Sequence, residues 1–115
     1  MELSYRAIGQ WCATFACSSV SEGSVVKIAA RGTVAACNDG DAFAGTVESL
    51  AHDGLACSVA LGGMVTAAYT GSTVPAAGFT KLAANGTGGV KVSETGNSYL
   101  VADVNTADKT VTFKL

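Results

Sequence analysis

The residues that could do chemistry in this 115-residue chain are four cysteines, one histidine and nine carboxylates. Zinc sites draw thiolates and imidazoles in closely spaced pairs. Cys12, Cys17, Cys37 and Cys57 form no CxxC, and His52 has no second histidine to pair with. The spacing fits free thiols packed as small apolar side chains. Closure of Cys37 with Cys57, or of Cys12 with Cys17, is the alternative in oxidising surroundings. His52 and Asp53 are adjacent, but catalysis needs nucleophile, base and orienting group to converge from different places. They read as a solvated turn. Asp39 and Asp41 bracket a glycine in Asn38-Asp39-Gly40-Asp41, yet no further acidic ligand follows at the spacing of a calcium loop. Turn chemistry accounts for that tetrapeptide. There is no GxGxxG at a strand–helix junction and no GxxxxGK[ST]. The expectation is therefore no catalytic residue, no cofactor, no metal and no enzyme.

Binding is what remains, and composition narrows the partners. The formal charge is −2, and the seven Lys and Arg are scattered. Phosphate backbones are held by clustered cations, so nucleic acid is not expected as a partner. No apolar run reaches the 18 residues of a membrane helix, and no membrane partner is expected. Met1-Glu2-Leu3-Ser4-Tyr5-Arg6 lacks the basic and apolar regions of a secretory signal, which fits synthesis in a cytoplasm. Sugar sites generally use exposed aromatic platforms, and the chain holds one Trp, three Tyr and four Phe. Tyr99 and Phe113 are expected in the core and Phe79 beneath its hairpin, which leaves Trp11 with Tyr5 as a small platform.

The elements that would position these side chains read as strands. Fourteen glycines interrupt every stretch that could be helical. At the C-terminus Val111, Phe113 and Leu115 alternate with Thr110, Thr112 and Lys114, the period of a strand with one buried face. Val26 and Ile28 alternate likewise with Val25, Lys27 and Ala29. Tyr99 to Val104 is apolar on both sides until Asp103, as in a central strand. Turn signals recur about every 8–15 residues, the rhythm of a sandwich or barrel. Residues 23–37 and 54–68 line up as glycine-tipped hairpins, and residues 78–92 give a looser third copy. Hairpins of this kind cannot each bury a face alone. They predict an all-β fold, a small closed barrel or sandwich of about eight to ten short antiparallel strands around one shared core. Residues 21–115 form its single-domain body. Residues 1–20, which differ in texture, are either a first strand or an arm reaching away from the body.

The phrases Glu22-Gly23-Ser24-Val25-Val26-Lys27-Ile28, Gly32-Thr33-Val34, Asp39-Gly40-Asp41-Ala42-Phe43-Ala44-Gly45-Thr46-Val47, Gly54-Leu55-Ala56-Cys57-Ser58-Val59 and Gly63-Met64-Val65 follow one another in an order that resembles the small bacteriophage capsid decoration (cement) proteins. The likeness covers residues 20–70 well and the C-terminal part loosely. It implies a small β-barrel or sandwich, often a homotrimer, bound to the major capsid protein on the outside of an expanded phage head. The protein would be part of the virion and would stabilise the capsid. Residues 1–20 are the expected contact segment, with Tyr5, Trp11 and Phe15 as anchors, since aromatic residues dominate interface energetics. The alternative is a carbohydrate- or surface-binding β module of a phage tail or fibre assembly.

Overall fold

The computed structural model describes residues 11–115. Among them ten strands form and no helix does: β1 Trp11–Ala16, β2 Val25–Ala30, β3 Thr33–Ala36, β4 Gly45–Leu50, β5 Ala56–Gly62, β6 Met64–Thr70, β7 Gly78–Ala84, β8 Val90–Val92, β9 Asn97–Asn105 and β10 Thr110–Lys114. The all-β fold read from glycine spacing and alternation is the one observed. The strands fall into two closed five-stranded sheets, ordered β1-β3-β2-β4-β5 and β10-β6-β8-β7-β9.

The two barrels have the same topology. In the first, β1 runs parallel to β3, while β1–β5, β2–β3, β2–β4 and β4–β5 are antiparallel. In the second, β6 runs parallel to β8, while β6–β10, β7–β8, β7–β9 and β9–β10 are antiparallel. The glycine-tipped hairpins take on a different meaning in this frame. The first copy is β2–β3 and the looser third is β7–β8, so these two occupy equivalent places in the two barrels. The middle copy, β5–β6, is the joint between them. Its tip Gly63 has φ +86°, a conformation that side chains with a Cβ resist. The all-antiparallel expectation thus gives way at one seam in each barrel.

Burial follows this division. A smaller cluster of Cys17, Val26, Val34, Val47, Cys57 and Val59 fills the first barrel. A larger one combines Val65, Ala67, Tyr69, Leu82, Ala84, Val90, Val101, Val111 and Phe113 of the second barrel with Val25, Cys37, Phe43 and Ala60 of the first. Two cores therefore stand where one was expected. This explains why β2 departs from simple alternation. Val25 and Val26 are both fully buried, one in each cluster, while Ile28 beyond them is 52 % exposed.

The barrels are locked together by the segment between β3 and β4. Phe43 stacks on Tyr99 with ring centroids 5.0 Å apart and meets the edge of Phe113 at 5.8 Å. Asp41 accepts from Lys27 Nζ at 2.7 Å and from the Asn38 amide at 2.9 Å, which fixes the turn. The turn then docks on β7: the Gly40 amide donates to the Ala84 carbonyl, and the Ala84 amide to the Asp41 carbonyl. Lys91 Nζ lies 2.7 Å from Asp39 Oδ1, and the Val25 amide donates to the Gly88 carbonyl. Asn38-Asp39-Gly40-Asp41 is thus a clasp between barrels. Each exchanged backbone bond contributes about 1 kcal/mol net, and packing of the Phe43 ring adds about 3–5 kcal/mol to the coupling.

Candidate docking surfaces

Closing a sheet removes the unpaired edge through which strand proteins often associate. Both barrels close on short seams: β1 meets β3 at Ala16 and Thr33, and β6 meets β8 at Tyr69–Val90 and Thr70–Lys91. Among the described residues, Trp11 to Phe15 therefore has a strand partner on the β5 side alone. Met64 to Ala68 of β6 is one-sided in the same way, paired with β10 alone, and each is a sheet edge to which another chain could add a strand.

Of the anchors expected near the N-terminus, Tyr5 lies outside the described residues. Trp11 is 69 % exposed and lies across Gly62, its partner in the β1–β5 ladder. Phe15 is half-buried and packs against the smaller core. Residues 11–16 are a barrel strand, while residues 1–10 lie outside the described residues. Phe113 is a core residue as expected, whereas Tyr99 is half-buried and packs against that core, and the partial burial of Tyr99 raises the pKa of its phenol. Phe79 is not beneath its hairpin: it is 77 % exposed. The strand alternation of β7 sends Leu82 inward and Phe79 outward with Lys81. The sequence signal for this was present in the phase relative to Leu82, but not in composition.

Phe79 stands directly opposite Leu100 of β9, and Leu100 opposite Lys114 of β10. The same row continues to Met64 at the start of β6. It makes a ribbon of apolar and basic side chains on the outside of the second barrel. At the far end of the first barrel, Leu55 is 61 % exposed in the turn before β5. Asp53 Oδ1 accepts from the Leu55 amide at 3.0 Å, and Glu22 Oε1 accepts from the Leu50 amide at 3.3 Å. His52 and Asp53 sit in this exposed turn.

The thiols divide by position. Cys12 is exposed, and Cys17, Cys37 and Cys57 are buried as free thiols. Cys17 and Cys57 share the smaller core, where burial first, and then a hydrogen bond with Cys17, pushes Cys57 up to about 11. Cys37 is raised by burial and by the nearby Asp41 charge. Among the described residues no group of three His, Cys, Asp or Glu is placed to hold a metal ion, and no helix is long and apolar enough to cross a membrane. What the geometry offers is a stiff double barrel carrying separate apolar outcrops. Neither the family models nor the curated proteins contain a match to this chain.

Proposed function

We propose that this chain is a virion structural protein that decorates and stabilises the outer surface of an expanded phage capsid, binding the major capsid protein as a homo-oligomer, with a trimer favoured. The observation that carries this reading is the placement of large apolar side chains outside a closed, doubly cored body. Trp11, Leu55 and Phe79 are each more than 60 % exposed. Side chains of this kind supply hot spots at protein interfaces, while the cores keep them on a rigid frame. The likeness of residues 20–70 to cement proteins points the same way.

The mechanism is thermodynamic. A subunit that binds the expanded lattice alone stabilises it by mass action, by about 2.7 kcal/mol per site at a free concentration 100-fold above Kd. An oligomer touching several capsid subunits gains effective concentration for each later contact. The test is co-purification with intact virions. A molar ratio comparable to the major capsid protein is expected, and absence from washed virions overturns the reading. The exposed Trp11 face supports sugar stacking as a second reading, which binding of the isolated chain on a glycan array would establish in place of the first.

A further inference from the structure

The two exposed outcrops that strand pairing and hydrogen bonding define most fully, one on each barrel, are chemically complementary. On the second barrel, Phe79 and Leu100 lie side by side on β7 and β9. Lys81 is two residues along the same face of β7, and Lys114 stands across from Leu100. At about 3.4 Å per residue and about 4.8 Å between strands, the four side chains frame a patch of roughly 7 by 10 Å, enough to seat one leucine side chain. Lys114 Nζ donates to the Leu115 main-chain oxygen at 3.4 Å, and neither lysine forms an ion pair with a carboxylate side chain among the described residues. Asp103, the acidic residue of β9, is exposed one row further along, opposite Thr112.

On the first barrel the β4–β5 turn presents Leu55, with the exposed carboxylates of Asp53 and Glu22 at the same end. The imbalance extends over each barrel. Residues 11–62 carry five acidic and two basic side chains, and residues 63–115 carry three acidic and four basic. Two copies meeting through the same basic patch would bring four lysines together, so an isologous contact is disfavoured.

We infer that the Leu55 turn of one copy docks on the Phe79–Leu100 patch of the next, a head-to-tail contact in which Asp53 and Glu22 face Lys81 and Lys114. This specifies the self-association within the proposed function and rests on that part of it; capsid binding is separate. A heterologous contact of this kind closes into a ring if its rotation permits and otherwise extends as a chain. Attraction between opposite charges steers the encounter, and the apolar pair holds the contact once water has left.

The experiment is a charge swap read by sedimentation velocity at low and moderate salt. Lys81→Glu with Lys114→Glu gives a chain acidic at both faces, and Glu22→Lys with Asp53→Lys gives one basic at both. Each is expected to sediment as a monomer at concentrations where the unaltered chain is oligomeric. Their mixture is expected to associate again, in strict alternation and so as dimers, longer open chains or even-numbered rings, because each tip then meets a patch of opposite charge. Leu55→Ser, which leaves the turn's backbone bonds in place, is expected to weaken association at least tenfold. Circular dichroism of each variant establishes that it is folded. A monomeric unaltered chain, variants that assemble normally by themselves, or a mixture that stays monomeric each overturn the contact. Binding of the unaltered chain to expanded heads is measured in parallel, so loss of this contact and loss of the proposed function are told apart.

Discussion

Replacing Phe43 by Ala should damage the protein well beyond what its place in a connecting segment suggests. Phe43 belongs to the first barrel's sequence but is buried in the second barrel's core, between Tyr99 and Phe113. Truncating a buried Phe costs about 3–5 kcal/mol. The two ring contacts, each contributing about 0.5–1.5 kcal/mol beyond area burial, place this site in the upper part of that range. Small domains hold about 5–15 kcal/mol in total. At about 4 °C per kcal/mol for a chain of this size, the upper part of that range lowers Tm by roughly 16–20 °C. The assay is thermal unfolding followed by far-ultraviolet circular dichroism and, independently, by tyrosine fluorescence. Because Phe43 ties the barrels into one unit, the unaltered protein should show a single transition common to both probes, and the variant should either fall as a whole or separate into two transitions. A single transition lowered by less than about 5 °C would show that the ring is not what couples the barrels, and the packing argument would be wrong.

Other consequences can be checked on the same material. A Cβ at Gly45 would sit on the Ala60 carbonyl oxygen, so Gly45→Ala should cost at least about 3 kcal/mol in urea unfolding. Gly62→Ala meets the exposed Trp11 ring, which can swing away, and should cost under about 1 kcal/mol. In the native state at pH 8, an aromatic disulfide reagent should titrate Cys12 rapidly and the three buried thiols only on unfolding, with all four reacting in guanidinium; rapid reaction of Cys57 would contradict its burial and its raised pKa of about 11. The Lys27 hydrogen bond, with the Asn38 amide, holds Asp41 below its ordinary value of 3.8. Its contribution is present above that pH and is lost as pH falls through the lower folded value. Asp41→Asn should therefore lower Tm at pH 6 and flatten the loss of stability below pH 3.8, whereas an unchanged acid limb would show that the pair adds nothing.

Much of the fold was legible because glycine and alternation are local signals. Val111, Phe113 and Leu115 point inward together as their spacing indicates, and the turns fall where the Gly clusters lie. The partition into two barrels was not legible. Hairpin likeness is about turn grammar, and the joint β5–β6 uses the same grammar as β2–β3 and β7–β8. Pairing between β1 and β3, or β6 and β8, is non-local and leaves no mark in spacing. Residues serving two cores hide a further layer: adjacent Val25 and Val26 look like one buried and one exposed position, yet each faces a different interior. At the surface, Trp11 could be singled out as a lone indole near the chain start. Residue type alone puts Phe79 beneath its hairpin, whereas an exposed phenylalanine differs from a buried one only in its phase relative to Leu82.

The most direct measurement of the central claim is a titration of fluorescently labelled protein onto expanded and unexpanded heads from the same phage. Saturable binding to the expanded lattice at regular sites, with little or none to the unexpanded one, is the expected result. Equal binding to both forms, or no binding to either, would contradict a role in bracing the mature capsid.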